Sequence, residues 1–592
     1  MKRTRHFTTL ALALILVAYG CSDDNASEVT PPVPDPDPIT PDLGVKVKAS
    51  VTGFISDESG NPVTLATVTA GSQRANTDEY GYFQIEDTSL PKVAGLVTVE
   101  KDGYYSGYAT FLPQENNETF VRVTLLTREK TGTISAATGG TVNTTTGARI
   151  TLPANGVATA SNGAAYTGDI NISARILNNE KAPGDARGID DDGHLKALKT
   201  FSAIAVELTD ANGNRLQIAS DKTATISLPI PAEAQADAPN TVALWYFETE
   251  SGLWKQEGTA TKNGTVYEGS LKHFSFWQGA EGVPLVNFTA RITNAASQPL
   301  ANVAVIITPA GAQRNSVYSR FGHTDANGYV TGPVFANANL VLEIRTTCAI
   351  TAYEHQFATA ATDINLGTLI GNLGQNNVVL SGTVTNCNDQ PVAYGHIQTY
   401  DNGFYNRVPI TNGNFSYSGI MCTNTSVNLV VVDYATFQQN TPQTVSITPG
   451  TNALGTLKAC GTYAVGRIAY SVDSGPTVVI QETADTMAAY YLGNATQILT
   501  LSGEPNTNQK MAFQITGPDN KTGEHTVTDI FTQALPGGRG NWPVPIKVTI
   551  TEYGKVGGYI SGSFSSQLIS TDNNNYTSVH TLTCTFKVRR VN

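Results

Sequence analysis

Val51-Thr52-Gly53-Phe54-Ile55-Ser56-Asp57 is followed by Gly60-Asn61-Pro62-Val63 and Ala66-Thr67-Val68, then by Thr77-Asp78-Glu79-Tyr80-Gly81-Tyr82-Phe83 and Val99-Glu100-Lys101-Asp102-Gly103-Tyr104. The order is strand, polar turn, strand, then a tight turn whose glycine accepts a positive backbone angle before an aromatic returns to the core. Short alternating runs of the same kind recur along the chain, as in Ala203-Ile204-Ala205-Val206-Glu207-Leu208 and Lys547-Val548-Thr549-Ile550-Thr551. They lie between Gly, Asn, Asp and Pro turns, and long apolar stripes of helical period are missing. A period of two over short runs predicts an all-β chain of tandem antiparallel β-sandwich modules, transthyretin- or Ig-like.

The opening stretch is repeated. A second copy has Ala290-Arg291-Ile292-Thr293, Gln298-Pro299-Leu300, Val303-Ala304-Val305 and Thr324-Asp325-Ala326-Asn327-Gly328-Tyr329. A third has Gly382-Thr383-Val384-Thr385, Gln390-Pro391-Val392 and Asn412-Gly413-Asn414-Phe415. The last two also close alike, on Leu366-Gly367-Thr368-Leu369 and Leu454-Gly455-Thr456-Leu457. This order resembles the carboxypeptidase regulatory-like family of seven-stranded transthyretin-like sandwiches, closely in the first copy and more loosely in the others. The resemblance implies non-catalytic modules, and through the related starch-binding-like sandwiches it implies carbohydrate binding.

Between the first and second copies stand Pro183-Gly184-Asp185, Leu244-Trp245-Tyr246-Phe247, Gly252-Leu253-Trp254 and Lys272-His273-Phe274-Ser275-Phe276-Trp277. This region is similar to the extracellular sandwich of cartilage intermediate layer protein and its relatives, which implies a structural or interaction domain. The last segment carries Gly557-Gly558-Tyr559-Ile560 and ends Thr585-Phe586-Lys587-Val588-Arg589-Arg590, and it looks like a terminal β domain of bacterial surface lipoproteins. The basic end reads as a strand. The expected units are 46–128, 129–280, 281–371, 372–460 and 461–592.

Residues 1–45 read differently. Lys2, Arg3 and Arg5 precede an apolar run from Leu10 to Ala18, far shorter than the roughly 20 residues that span a bilayer. Ala18-Tyr19-Gly20-Cys21 follows and resembles the lipobox of bacterial lipoproteins, although Ala18 replaces the usual leucine and Tyr19 is bulky. The resemblance implies a signal peptide over 1–20, lipid on Cys21 and a membrane partner through that lipid, since multiple acyl chains anchor stably. Ser22-Asp23-Asp24-Asn25 looks like the tag of lipoproteins carried to the outer face of the outer membrane. From Val29 to Leu43 come Pro31, Pro32, Pro34, Pro36, Pro38 and Pro41, which read as a disordered, extended linker of ~3.1 Å per residue, a reach of ~40 Å.

Without residues 1–20 the chain has 37 − 3 = 34 Lys+Arg against 49 Asp+Glu, a net charge of −15, which argues against nucleic acid and anionic membrane surfaces as partners. Besides Cys21 there are Cys348, Cys387, Cys422, Cys460 and Cys584. Cys387, Cys422 and Cys460 fall in one module, so one disulfide among them is expected. No GxSxG elbow, phosphate loop, HExxH or CxxC occurs, and no cofactor motif stands out. The histidines, His580 included, lack metal-ligand spacing and read as strand or surface residues. Asp190-Asp191-Asp192-Gly193 invites a calcium reading but lacks alternating ligand spacing, and a solvated hairpin tip is favoured. Tyr104, Tyr105 and Tyr108, and Tyr400, Phe404 and Tyr405 beside Asp401, Asn402 and Arg407, are candidate sugar-stacking platforms, against the plainer reading of core and edge aromatics. The expected function is a non-catalytic, surface-exposed outer-membrane lipoprotein whose modules bind a glycan or envelope protein. The alternative is a spacer or scaffold.

Overall fold

The computed structural model describes residues 35–591, apart from 79, 179–180, 314–317, 346–350, 372–376, 402–403, 421–425, 483–485, 493–497, 505–509, 517–520, 536–539, 542–544 and 572–576. Nearly all regular structure is strand; the sole helical element among the described residues is a three-residue 3-10 turn at Ala232–Ala234.

The first repeat forms two sheets. Lys46–Ser56 lies between Tyr82–Pro91, antiparallel, and Glu118–Thr124, parallel, while Gln73–Asn76, Thr67–Ala70, Gly95–Glu100 and Gly107–Phe111 make the second sheet. The second repeat reproduces this topology. Leu285–Thr293 lies between Tyr329–Phe335 and the parallel Ile364–Ile370, and Arg320–His323, Ala304–Pro309, Asn339–Arg345 and Thr351–Ala358 form the other layer. In the third repeat Asn377–Asn386 again pairs with one antiparallel and one parallel neighbour, but Thr411 pairs with Asn414 and joins the two layers into one nine-stranded sheet. Apolar residues of the first repeat, such as Val51, Ile55, Val68, Phe83 and Val97, are buried between its layers, each contributing about 1.5–3 kcal/mol.

Two sequence features explain the shared build. The proline of each copy packs against the turn glycine: a Cβ on Gly81 or Gly328 would lie 3.2 Å from the Cβ of Pro62 or Pro299, and one on Gly413 would lie 2.8 Å from that of Pro391. All three glycines have positive φ. The second feature is a cap. Asp57, Asp78, Asp190, Asp210, Asn294, Asp325 and Asn386 each accept at Oδ1 the backbone N–H groups two and four residues on, at 2.7–3.1 Å. The residue three positions on has positive φ in every case, usually glycine. A short acceptor side chain thus satisfies the hairpin's backbone donors.

The region after the first repeat folds as one thirteen-stranded sheet system around Trp245, Trp254 and Trp277. Each indole N–H donates to a backbone carbonyl, of Ala280, Pro183 and His273 respectively, so none leaves a buried donor unpaired. The C-terminal region is a ten-stranded antiparallel sheet in which Thr577–Arg589 pairs with Tyr559–Thr571 and Arg467–Val472. Beyond that strand Arg590 bridges Ala489, and the sheet curls around Tyr470, Phe513, Phe564 and Phe586.

The proline segment departs from expectation. Residues 35–43 do not stand clear as a linker: Leu195 N–H donates to Ile39 O at 2.7 Å, Asn337 Nδ2 donates to Asp35 Oδ1 at 3.2 Å, and Leu43 packs on the core of the second repeat. Proline's missing N–H leaves the carbonyls free to accept, so an extended segment can still dock along a strand.

Candidate functional site

Pro183-Gly184-Asp185 builds one junction. Gly184 has positive φ, and a Cβ there would lie 2.8 Å from the Phe247 ring and 3.1 Å from Thr110 Oγ1 of the first sandwich. Thr110 donates to Gly252 O at 2.7 Å. Asp185 pairs with the buried Arg187 at 2.7 Å, and Arg187 in turn donates to Val93 O at 2.6 Å. Nearby, Glu58 accepts from Arg175 and Lys181, which outweigh its burial and hold its carboxyl below the usual range.

This junction corrects the first aromatic platform. Tyr105 is buried with Leu126, Leu177 and Ala203, and Tyr108 packs on Phe247 and Phe276 at 5.0 and 5.8 Å, so both rings join two modules instead of facing solvent. Tyr104 lies against the core of the first sandwich. Between them the chain enters the strand Gly107–Phe111, and the neighbouring sheet supplies the apolar surface that takes them out of water.

A cavity of about 800 Å³ opens where the first, second and third β units meet, with the fourth at its margin. One wall is the outer face of the sheet carrying Lys46–Ser56, where Phe54, Tyr82 and Phe120 cluster edge to face. Arg122 stacks over Phe54 and Phe120 with its guanidinium 5.2 and 5.0 Å from the ring centres, and burial lowers it to about 10. His323 meets Phe120 edge-on, and burial together with the Arg122 charge pushes its imidazole down to about 3. It is held neutral. Burial raises Glu118 and Asp325 above their ordinary range. Tyr329 lines the same space and is 47 % exposed.

Two lining side chains have donors to spare. Gln278 accepts from Thr200 at 2.6 Å but its buried Nε2 has no protein partner. Arg320 donates to Leu198 O and Ser319 O, stacks 4.5 Å from the Phe335 ring centre, and leaves Nε unpartnered. Burial lowers it to about 10. Leaving such donors unsatisfied costs roughly 1–3 kcal/mol each, and both atoms lie behind the cavity wall with almost no accessible surface. Sequence reading missed these residues because neither sits in a motif; they converge from strands about forty positions apart.

The remaining candidates divide. Asp190, Asp192 and His194 bring potential ligand atoms within 4.8 Å of one another. Asp190 Oδ1 is the turn cap described above, its Oδ2 lies 3.6 Å from Lys196 Nζ, and Asp191 accepts from Gln256 at 2.9 Å. Tyr400 pairs with Tyr405 and Asp401 with Phe404 across a hairpin, while Asn402 and the side chains of the other four lie outside the described residues. Arg407 is no part of a sugar platform: it bonds Asp78 at 2.6 Å and sits 3.5 Å from the Tyr82 ring centre, fastening the fourth unit to the first. Burial lowers its pKa, but Asp78 and two tyrosines raise it further. Cys387 is bonded to Cys460, Cys584 is buried as a thiol, and Cys21, Cys348 and Cys422 lie outside the described residues.

The model of the FAM171A1/A2/B N-terminal family matches residues 183–267. No curated protein matches the chain. Among solved structures, it is similar to the minor pilin GBS52 of Streptococcus agalactiae, with 10% identity over 30% of this chain and 97% of that one at a TM-score of 0.14. It is similar to the major pilin subunit BcpA of Bacillus cereus, with 11% identity over 70% and 99% at 0.12. The Bacillus anthracis TIE protein shares 10% identity over 67% and 68% at 0.15. At TM-scores this low the likeness adds nothing to the all-β architecture that the strands themselves display.

Proposed function

We propose that residues 46–460 form a non-catalytic binding body, carried on a bacterial surface by lipid on Cys21, whose guest is a glycan held in the cavity between the modules. The observation that carries this reading is a cavity of about 800 Å³ between the modules, walled by Phe54 and Phe120 and by the half-exposed Tyr329. Tyr329 offers a ring face for the C–H groups of a sugar, and Asn61 and Asn302 line the same space with polar side chains for its hydroxyls. The resemblance of the repeats to regulatory-like and starch-binding-like sandwiches supports the same guest. The lipobox-like Ala18-Tyr19-Gly20-Cys21 and the acidic residues after it support lipid anchoring at the outer membrane and display to the exterior.

A glycan array probed with the purified chain from Cys21 onward tests the binding. Thr124 lines the cavity from an exposed position, so Thr124→Trp should crowd it and weaken binding while the melting temperature holds. No bound glycan, together with co-purification of an envelope protein, would instead support the scaffold reading. Cys21→Ser should release the protein from membranes or leave its signal uncut; unchanged attachment would overturn the anchoring.

A further inference from the structure

The C-terminal sheet brings Asp473 to two residues of its last strand more than a hundred positions on, Ser578 and His580. On Thr577–Arg589, Ser578 and His580 point to the same face, and Ser578 Oγ lies 2.7 Å from His580 Nε2. His580 Nδ1 lies 2.6 Å from Asp473 Oδ2, on the turn that follows Arg467–Val472. The other carboxylate oxygen, Asp473 Oδ1, accepts the backbone N–H of Thr581 at 2.8 Å, and Asp473 N–H donates to Thr581 O at 2.8 Å. Asp473 is therefore fixed by the residue next to the histidine it orients.

These contacts decide the tautomer. The hydrogen bonds from His580 and from the Thr581 backbone hold the Asp473 carboxyl below its usual range, so it is an acceptor only. Nδ1 must then carry the proton. In the neutral ring Nε2 is left as an acceptor and Ser578 O–H donates to it, which is the polarity a general base needs toward a nucleophile. The turn that presents Asp473 is strained: Asp473 and Ser474 both have positive φ, 54° and 57°, in a chain that usually reserves such angles for glycine. The His580 side chain is mostly out of water at 15% exposed, whereas Asp473 is open to it at 51%.

We propose that Ser578, His580 and Asp473 form an acyl-transfer site, with Ser578 as nucleophile, His580 as general base and Asp473 as the positioning residue, acting on carboxylic esters. Ser578 Oγ bonds to the ester carbonyl carbon and its proton passes to His580 Nε2. The carbon–alkoxy bond breaks, and the alcohol leaves with that proton. Water, deprotonated by His580, then attacks the acyl-serine, releasing the carboxylic acid and restoring Ser578. Both halves balance without any other reactant. This activity belongs to the C-terminal region and is independent of glycan binding by residues 46–460.

The whole mature chain is treated with an alkyl fluorophosphonate, which reacts as the ester does: Ser578 Oγ bonds to phosphorus and fluoride leaves. Digestion and mass spectrometry should place the adduct on Ser578. Ser578→Ala should abolish labelling, and His580→Gln and Asp473→Asn should each slow it by about 100-fold or more, all with an unchanged melting temperature. Hydrolysis of a p-nitrophenyl ester should fall in the same order. A chain that stays unlabelled while a known serine hydrolase in the same tube reacts fully would overturn the proposal. So would an adduct on Ser578 whose rate is indifferent to His580→Gln, because the contacts would then be structural only.

Discussion

At the residue scale, a few positions have no substitute. Gly81 and Gly328 adopt φ of 74° and 79°, and a Cβ would meet the carbonyl oxygen of Ile55 at 2.3 Å or Ile292 at 2.4 Å. Gly81→Ala or Gly328→Ala should cost about 1–3 kcal/mol through strain alone, read as a lower denaturant midpoint. His323 has a different signature. Its folded pKa of about 3 lies below the 6.5 of the unfolded chain, so between these values the unfolded state binds the extra proton. Stability owed to the neutral ring is complete above pH 6.5 and is lost as pH falls from there toward 3. His323→Gln should flatten that stretch of the stability profile; an identical slope in the variant would count against a buried neutral imidazole.

At the scale of elements, the repeats show how far a sequence pattern reaches. Proline, turn glycine and the Asp or Asn cap are local, and each draws the same hairpin in successive copies. The merger of the third copy into one sheet was not legible, because it depends on a single pairing, Thr411 with Asn414, added to strands that all three copies share. That copy also has the disulfide. Cys387 and Cys460 close a separation of 73 residues, and tying so long a loop stabilises by about 4 kcal/mol in the chain-entropy account. Cys387→Ser should lower the unfolding midpoint of residues 377–463 and leave the C-terminal sheet unchanged, which hydrogen exchange can resolve segment by segment.

For the body as a whole, the first sandwich touches each of the others: Thr110 donates to Gly252 O, Phe120 meets the His323 ring edge-on, Asp78 pairs with Arg407, and Thr64 donates to Val556 O at 3.3 Å. The Asp78–Arg407 pair is mostly out of water, with side chains 21% and 19% exposed. Arg407→Ala leaves Asp78 and the Tyr82 face without their partner and should cost about 3 kcal/mol or more. Calorimetry should then show the fourth unit melting apart from the first. A single unsplit transition at the same temperature would mean that the pair does not couple them.

The sequence by itself determined the all-β class, the repeats and the turns, because alternation, positive φ and side-chain caps act within a few residues. It named Cys387 and Cys460 among three possibilities without choosing the pair. It did not distinguish an aromatic that binds from one that joins modules, so Tyr105 and Tyr108 were legible as aromatics but not as glue. The cavity, the docking of residues 35–43 and the meeting of Asp473 with His580 were decided only by the tertiary structure. Each depends on which surfaces bury one another across gaps of about a hundred residues or more, and no local preference encodes that choice.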